Sequence, residues 1–276
     1  MKKGKKQVLL YIILILASAA FLAPVFIVLI NSFKNKLYIS DNPFALPNSE
    51  TFAGLSNYSS GLEKTGFFSA FGYSLFITLG SVAVIVLFSA MTAWYITRVK
   101  SKFTSAVYYA FVFSIIVPFQ MVMFSMSKLA NLLNLDNPLG IIVIYLGFGA
   151  GLSVFMFCGF IKSIPLEIEE AAMIDGCGSI RTFFLVVLPL LKPTAITVAI
   201  LNTMWIWNDY LLPYLVIGSN YKTIPIAVQY LRGGYGSVDL GAMMAMLVLA
   251  IIPIIVFYLS SQKYIIKGVV AGAVKG

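Results

Sequence analysis

Five stretches of this chain contain no Asp, Glu, Lys or Arg at all: residues 7–33, 65–97, 103–127, 137–161 and 240–262. Each exceeds the roughly 20 residues that a helix needs to cross about 30 Å of hydrocarbon. A sixth run, 193–208, is shorter and ends at Asp209. Inside a bilayer every backbone polar group must be satisfied within its own segment, so such runs are helices. The expectation is an all-α polytopic membrane protein with six spans, at about 8–31, 70–96, 105–127, 139–161, 193–215 and 240–261. A soluble fold is excluded by composition, since only 11% of residues are charged against about 25% in soluble domains.

The distribution of charge orients the spans. With the N-terminus inside, the inner segments hold thirteen of the 19 Lys and Arg, among them Arg98, Lys100, Lys102, Lys162, Arg181, Lys192, Lys263, Lys267 and Lys275, and the outer segments hold six. That is the positive-inside bias, and it puts both termini in the cytoplasm. The net charge of +9 is therefore a topology signal, and no basic patch with interleaved aromatics points to nucleic acid. The start MKKGKK, an apolar run and Ala17-Ser18-Ala19 have the outline of a cleavable secretory signal. The run continues past that site to Ile30, which favours an uncleaved signal-anchor.

Several chemistries lack their residues. The chain has no His and two Cys, Cys158 within a span and Cys177 in an inner loop. Metal clusters and His-based triads have nothing to use, and the placement of the two Cys argues against a structural disulfide. No phosphate-cradling G-x-x-x-x-G-K-[ST] occurs. The outer loop 34–66 is rich in Asn, Ser, Pro and Gly, a composition that favours turns over a packed domain, and it sets span one apart as an accessory to a five-helix core. Pro24, Pro118 and Pro253 fall inside spans, where proline is common and most kinks serve packing.

The stretch EEAAMIDGCGSIRTFFLVVLPLLKP, from Glu169 to Pro193, breaks the pattern of apolar runs. A charged side chain at the membrane centre costs about 2.5–3.5 kcal/mol, so Glu167, Glu169, Glu170, Asp175 and Arg181 place residues 162–192 in the cytoplasm. Ser163 as N-cap, Pro165 in the first turn and the early glutamates predict a short helix. Gly176 and Gly178 stop it, and Ser179 caps a second helix that runs to Pro189. Ala171, Ala172 and Gly176 share a small-residue side that lets another backbone come close.

Glu170-Ala171-Ala172, Asp175-Gly176 and Leu188-Pro189 resemble, in content and spacing, the EAA loop of ABC-importer permeases. Trp207-Asn208-Asp209-Tyr210 with Pro213, and the last span with its tail, are similar to the carbohydrate (MalG-like) branch of that family. The resemblance covers residues 68–276 well and the first span only in kind. It implies a type I ABC importer permease fold: an N-terminal span and loop (1–67), a core (68–262) with a coupling loop at 162–192, and a tail (263–276) that reaches the ATPase. It implies that Glu170, Ala171, Ala172, Asp175, Gly176, Leu188 and Pro189 couple the chain to a separate ATPase through a helix at 165–176. The implied partners are a second permease, two cytoplasmic ATPase domains, an extracellular or periplasmic solute-binding protein and membrane lipid, in the cytoplasmic membrane of a prokaryote. ATP and Mg would sit on the partner; this chain would bind no cofactor, catalyse no reaction, and carry a sugar or oligosaccharide by alternating access. A polyamine or peptide importer, or an ion-coupled secondary transporter, is the alternative.

For the substrate path the outer half of span five stands out, with Asn202, Trp205, Trp207, Asn208, Asp209 and Tyr210. Sugars are held by amides, carboxylates and aromatic faces, while Trp and Tyr equally form belts at membrane interfaces. Gln120 and Ser153 are weaker candidates, better suited to helix packing.

Overall fold

A computed structural model describes residues 2–218, 220–231 and 239–273. The described residues are helical almost throughout and form no strand beyond one isolated bridge, Lys34 to Phe52. Among the described residues four helices are long and apolar enough to cross a membrane, at Gln7–Ser32, Phe67–Arg98, Pro138–Ile161 and Leu240–Tyr264. Two bent pairs bring the number to six if each pair is one span. The protein is a multi-pass membrane protein.

The chain divides into two compact units: Met1–Ala70 with Ala227–Ile255, and Phe71–Ile226 with Val256–Gly276. In the first, α1 (Lys2–Ser32) carries an 18-residue apolar window of which nothing is buried inside the protein, while Ile30, Asn31 and Ser32 at its end are buried. Pro24 is accommodated without ending the helix. The loop that follows is more ordered than its composition suggests. It folds into α2 (Lys36–Ile39) and α3 (Ser56–Thr65), closed by buried polar side chains. The Asn57 amide donates to the carbonyls of Ser32 (2.8 Å) and Lys34 (2.7 Å). The buried Lys34 ammonium donates to the Asn42 carbonyl at 2.9 Å, and burial pulls its pKa down. Turn residues were legible here, but these long-range side-chain bonds, which supply the packing, were not. Asp239 opens the last helix by accepting from Ala242 N–H (3.2 Å) and pairs with Lys64 at 2.5 Å. Partial burial works to raise the Asp239 carboxyl, and the bonds from Lys64 and Ala242 outweigh it, holding it below its ordinary range.

The second unit takes most of α4 (Phe67–Arg98), then α5 (Lys102–Ile116), α6 (Phe119–Leu132) and α7 (Pro138–Ile161). Span three is not one helix. It breaks between α5 and α6 by 107°, at Val117 and Pro118. Proline disfavours a helical residue before it, and Val117 is extended at ψ 112°, so Pro118 starts a new helix here rather than merely kinking one. The central α7 is packed by α5 and α11 (Lys192–Asn208). Small residues allow this: a Cβ on Gly149 would fall 2.6 Å from Ile85 and 2.9 Å from the Asn202 amide, and one on Gly151 2.4 Å from Ser114 Oγ. Tyr145, Val154, Phe157 and Ile161 of α7 are wholly buried in the core.

The polar stretch after α7 follows as α8 (Leu166–Ile174), α9 (Ser179–Thr182), a π-helical turn at Phe183–Val187, and α10 (Leu188–Leu190). Two expected caps are corrected. Pro165, not Ser163, precedes the first helical residue, and the Ser163 hydroxyl donates back to Phe160 O. Gly178, in extended conformation, stands at the second N-cap in place of Ser179. Gly176 ends α8 as expected, at φ +87°, a conformation that suits only glycine. The π turn precedes Pro189, whose missing N–H removes an ordinary helical bond. Span five is thus bent by 76° between Ser179–Leu190 and Lys192–Asn208, and it stops at Asn208 rather than near 215. Short helices α12 (Leu211–Val216) and α13 (Ile224–Tyr230) precede α14 (Leu240–Ala273), which stays helical through Pro253 and into the tail. Lys275 and Gly276 of the tail, and Arg232, lie outside the described residues.

Candidate functional site: a clamped helix and the exposed face of α11

The segment α8 is held to the end of α4 by one side chain that sequence reasoning passed over. Glu169 is 1% exposed. Its Oε1 accepts from Arg98 Nε (2.9 Å) and Nη2 (2.6 Å), and its Oε2 accepts from Trp94 Nε1 (2.8 Å). Arg98 Nη2 also donates to Ile164 O at 3.0 Å, just ahead of the helix. Trp94 in turn packs on Phe183, with ring centroids 5.6 Å apart. The clamp therefore fixes both the entry of α8 and the element after it. Such a charge-assisted, partly bidentate contact sets orientation as well as position.

The other side of α8 is open. Glu170, Ala171, Asp175 and Gly176 are exposed and Ala172 is half-buried. Around them Leu166, Met173, Ile174 and Ile180 also project outward, Ile174 at 86% exposure. The resemblance-derived residues thus fall in two places. Glu170 to Gly176 form an outward surface, whereas Leu188 is packed against the core beside the π turn and Pro189 follows it. Trp94 and Arg98, four residues apart and so on one face of a helix, were the available signal for the clamp. Nothing in the sequence distinguished buried Glu169 from exposed Glu170.

In α11 the polar residues divide by task. Asn202 is buried, donating to Val198 O (2.8 Å) and Ser153 Oγ (3.3 Å), which ties α11 to α7. Trp207 is buried edge-on to Phe71, while Trp205 is 40% exposed and edge-on to Tyr145. The two tryptophans diverge as their 200° separation requires. Asp209 is engaged by the protein itself. Its Oδ1 accepts from Leu211 N–H (3.1 Å) and Leu212 N–H (3.4 Å), capping α12, and its Oδ2 accepts from the Tyr145 hydroxyl at 3.0 Å. Tyr210 stacks on Tyr214. Asn208 is exposed, and its amide N–H donates to Met204 O (2.7 Å), leaving its oxygen outward. Leu201, Met204, Trp205 and Asn208 make one uncovered face of α11. Gln120 is exposed on α6.

With this arrangement the family comparison is decisive. Residues 85–270 match the family described as binding-protein-dependent transport system inner membrane component. The chain belongs to that family. It is a membrane component of a solute transport system, so its task is passage of a solute rather than its chemical conversion. It is 40% identical over 263 residues, covering 95% of this chain and 94% of the other, to the probable starch degradation products transport system permease protein AmyC of Thermoanaerobacterium thermosulfurigenes. It is 36% identical over 270 residues, 96% of each chain, to the multiple sugar-binding transport system permease protein MsmG of Streptococcus mutans. The fold is that of a chain in the crystal structure of a bacterial ABC transporter involved in the import of the acidic polysaccharide alginate, with a TM-score of 0.76 at 19% identity, over 96% of this chain and 98% of that one.

Proposed function

We propose that this chain is one permease subunit of an ATP-driven importer of oligosaccharides in a prokaryotic cytoplasmic membrane, with six spans and both termini in the cytoplasm. It works with a second permease, two ATPase domains on separate chains and an external solute-binding protein. Residues 68–262 act as the core, 1–67 as an added span and cap, and 263–276 as a tail toward the ATPase. The carrying observation is the clamp at Glu169, because a helix that is to pass on movement must be rigidly joined to the spans behind it. Its exposed side, with Glu170, Ala171, Met173 and Ile174, is the surface that a groove of the ATPase would receive. Closure of the ATPases then rotates α4 and the helices after α8 as a body, and access to the cavity between the permeases alternates. The sugar reading draws on relatives whose names specify starch degradation products and multiple sugars. It also draws on the exposed Trp205–Asn208 edge, an aromatic face beside an amide.

The test is purification of the complex with Gly176→Leu and Glu170→Lys. Glu170 and Gly176 are both exposed, so both substitutions alter the outward surface, and leucine at 176 also strains the end of α8, which needs a positive φ there. Both variants should reach the membrane and lose bound ATPase and transport. Stoichiometric ATPase with normal transport in both would make α8 a mere connector.

A further inference from the structure

The inner ends of α4, α5 and α7 surround an open cavity of about 770 Å³ that the transport reading leaves unused. Three lysines line it: Lys100, Lys102 and Lys162. Tyr108 adds a hydroxyl, those of Thr97 and Ser105 being donated to the carbonyls of Ala93 and Ser101, and no Asp or Glu lines it. Among the described residues the ion pairs are Lys64–Asp239 and Arg98–Glu169, so none of these three lysines is neutralised by a carboxylate. The nearby Arg98 is committed to the clamp, while Lys162 lies over the Tyr108 ring at 5.6 Å. Three unpaired ammonium groups gathered around one concavity repel one another, and an anion placed among them relieves that repulsion. The rim is apolar: Tyr109, which also lines the cavity, is 68% exposed, and Phe103, next to Lys102 in the chain, is 71% exposed.

We infer that this cavity binds a phosphate group, supplied by the headgroup of an anionic phospholipid of the inner leaflet. The lysines and the Tyr108 hydroxyl take the phosphate oxygens, and the exposed aromatics lie along the glycerol and upper acyl chain. Basic pockets between spans on the cytoplasmic side are suited to such headgroups. A free phosphate would use the lysines but leave the aromatic rim without a role. The choice of leaflet rests on the proposed topology; the cavity and its charge do not.

The experiment uses the complete purified importer in detergent, stripped of lipid and titrated with phosphatidylglycerol, phosphatidylcholine or inorganic phosphate, with bound molecules counted by native mass spectrometry. Phosphatidylglycerol should bind and phosphatidylcholine should not. Neutralising one lysine should weaken binding about fivefold, the factor carried by about 1 kcal/mol per lysine near a membrane surface. Lys100→Gln, Lys102→Gln and Lys162→Gln together should weaken it roughly a hundredfold. The single variants at exposed Lys100 and Lys102 keep the test decisive if the triple variant misassembles. Unchanged phosphatidylglycerol binding in all variants would overturn the site. Inorganic phosphate competing at equal concentration would overturn the lipid source. Glu170→Lys separates the two proposals, because it should release the ATPase and leave phosphatidylglycerol bound.

Discussion

Arg98→Ala should uncouple this permease without detaching its ATPase. In the native protein the Glu169 carboxylate is 1% exposed and receives three hydrogen bonds, two of them from Arg98. The substitution leaves that carboxylate in place with the Trp94 indole as its one remaining donor. Removing one partner of a buried pair costs about 3–5 kcal/mol, because the surviving charge is uncompensated. The tie between α8 and α4 weakens by that amount, so opening of α8 from α4 becomes roughly a hundred- to a few-thousandfold more frequent, taking each 1.4 kcal/mol as tenfold. The outward residues Glu170 to Gly176 are untouched, so the ATPase should still bind. Amide exchange across residues 166–174 should accelerate by about that factor. In proteoliposomes, ATP hydrolysis should continue while solute moved per ATP falls. The paired variant Arg98→Met with Glu169→Met removes both charges together and should recover much of the exchange protection, since apolar replacement of a buried pair is often neutral. Slow exchange and undiminished transport per ATP in Arg98→Ala would refute the clamp as a mechanical link. Additive losses in the paired variant would show that the two side chains act independently.

Asn208→Ala should cut uptake roughly tenfold or more with normal assembly, as expected when a polar partner worth about 1–3 kcal/mol is lost; uptake within twofold of the parent would remove α11 from the solute path. Trp205 should matter for uptake and buried Trp207 for folding, so membrane abundance of Trp205→Ala and Trp207→Ala separates the two. Asp209→Ala should lower thermal stability by about 1–2 kcal/mol through the lost cap of α12, and Asp209→Asn by less, because an amide oxygen can still accept from Leu211 and Leu212; equal losses would mean that capping is not its task. Cysteines at Ser56 and Ser101 test topology: an impermeant thiol reagent outside intact cells should label only the first, and labelling of Ser101→Cys would overturn the six-span arrangement.

Element existence was legible because charge-free length is a one-dimensional signal. The breaks were not, and each has a local cause. Pro118 and Pro24 look alike in sequence, yet one begins a helix and the other rides inside one. The end of span five at Asn208 depends on Asp209 finding the N–H groups of Leu211 and Leu212 and the hydroxyl of Tyr145, which lies 64 positions away. The motif residues of α8 could be read from spacing, whereas the clamp could not. Arg98 served the sequence reading only as one more inner positive charge, and its partner Glu169 lies in a different segment. The outer cap shows the same limit, since Asn57 is an ordinary loop residue until its amide meets the carbonyls of Ser32 and Lys34.

The contrast between α1 and α7 sets an order of birth. An 18-residue apolar window of α1 buries nothing against its own chain, so it can leave the translocation machinery and rest in lipid while the remainder is still being synthesised. For α7 the close approaches at Gly149 and Gly151 require Ile85 from α4, Ser114 from α5 and Asn202 from α11. Two of those neighbours precede it from the ribosome, and the third follows about forty residues later. Until α11 arrives, the Ser153–Asn202 link cannot form and one side of α7 stands in lipid without its partner. A nascent chain stopped short of Asn202 would hold α7 against α4 and α5 with its remaining side open, and a few further turns of translation would close that side.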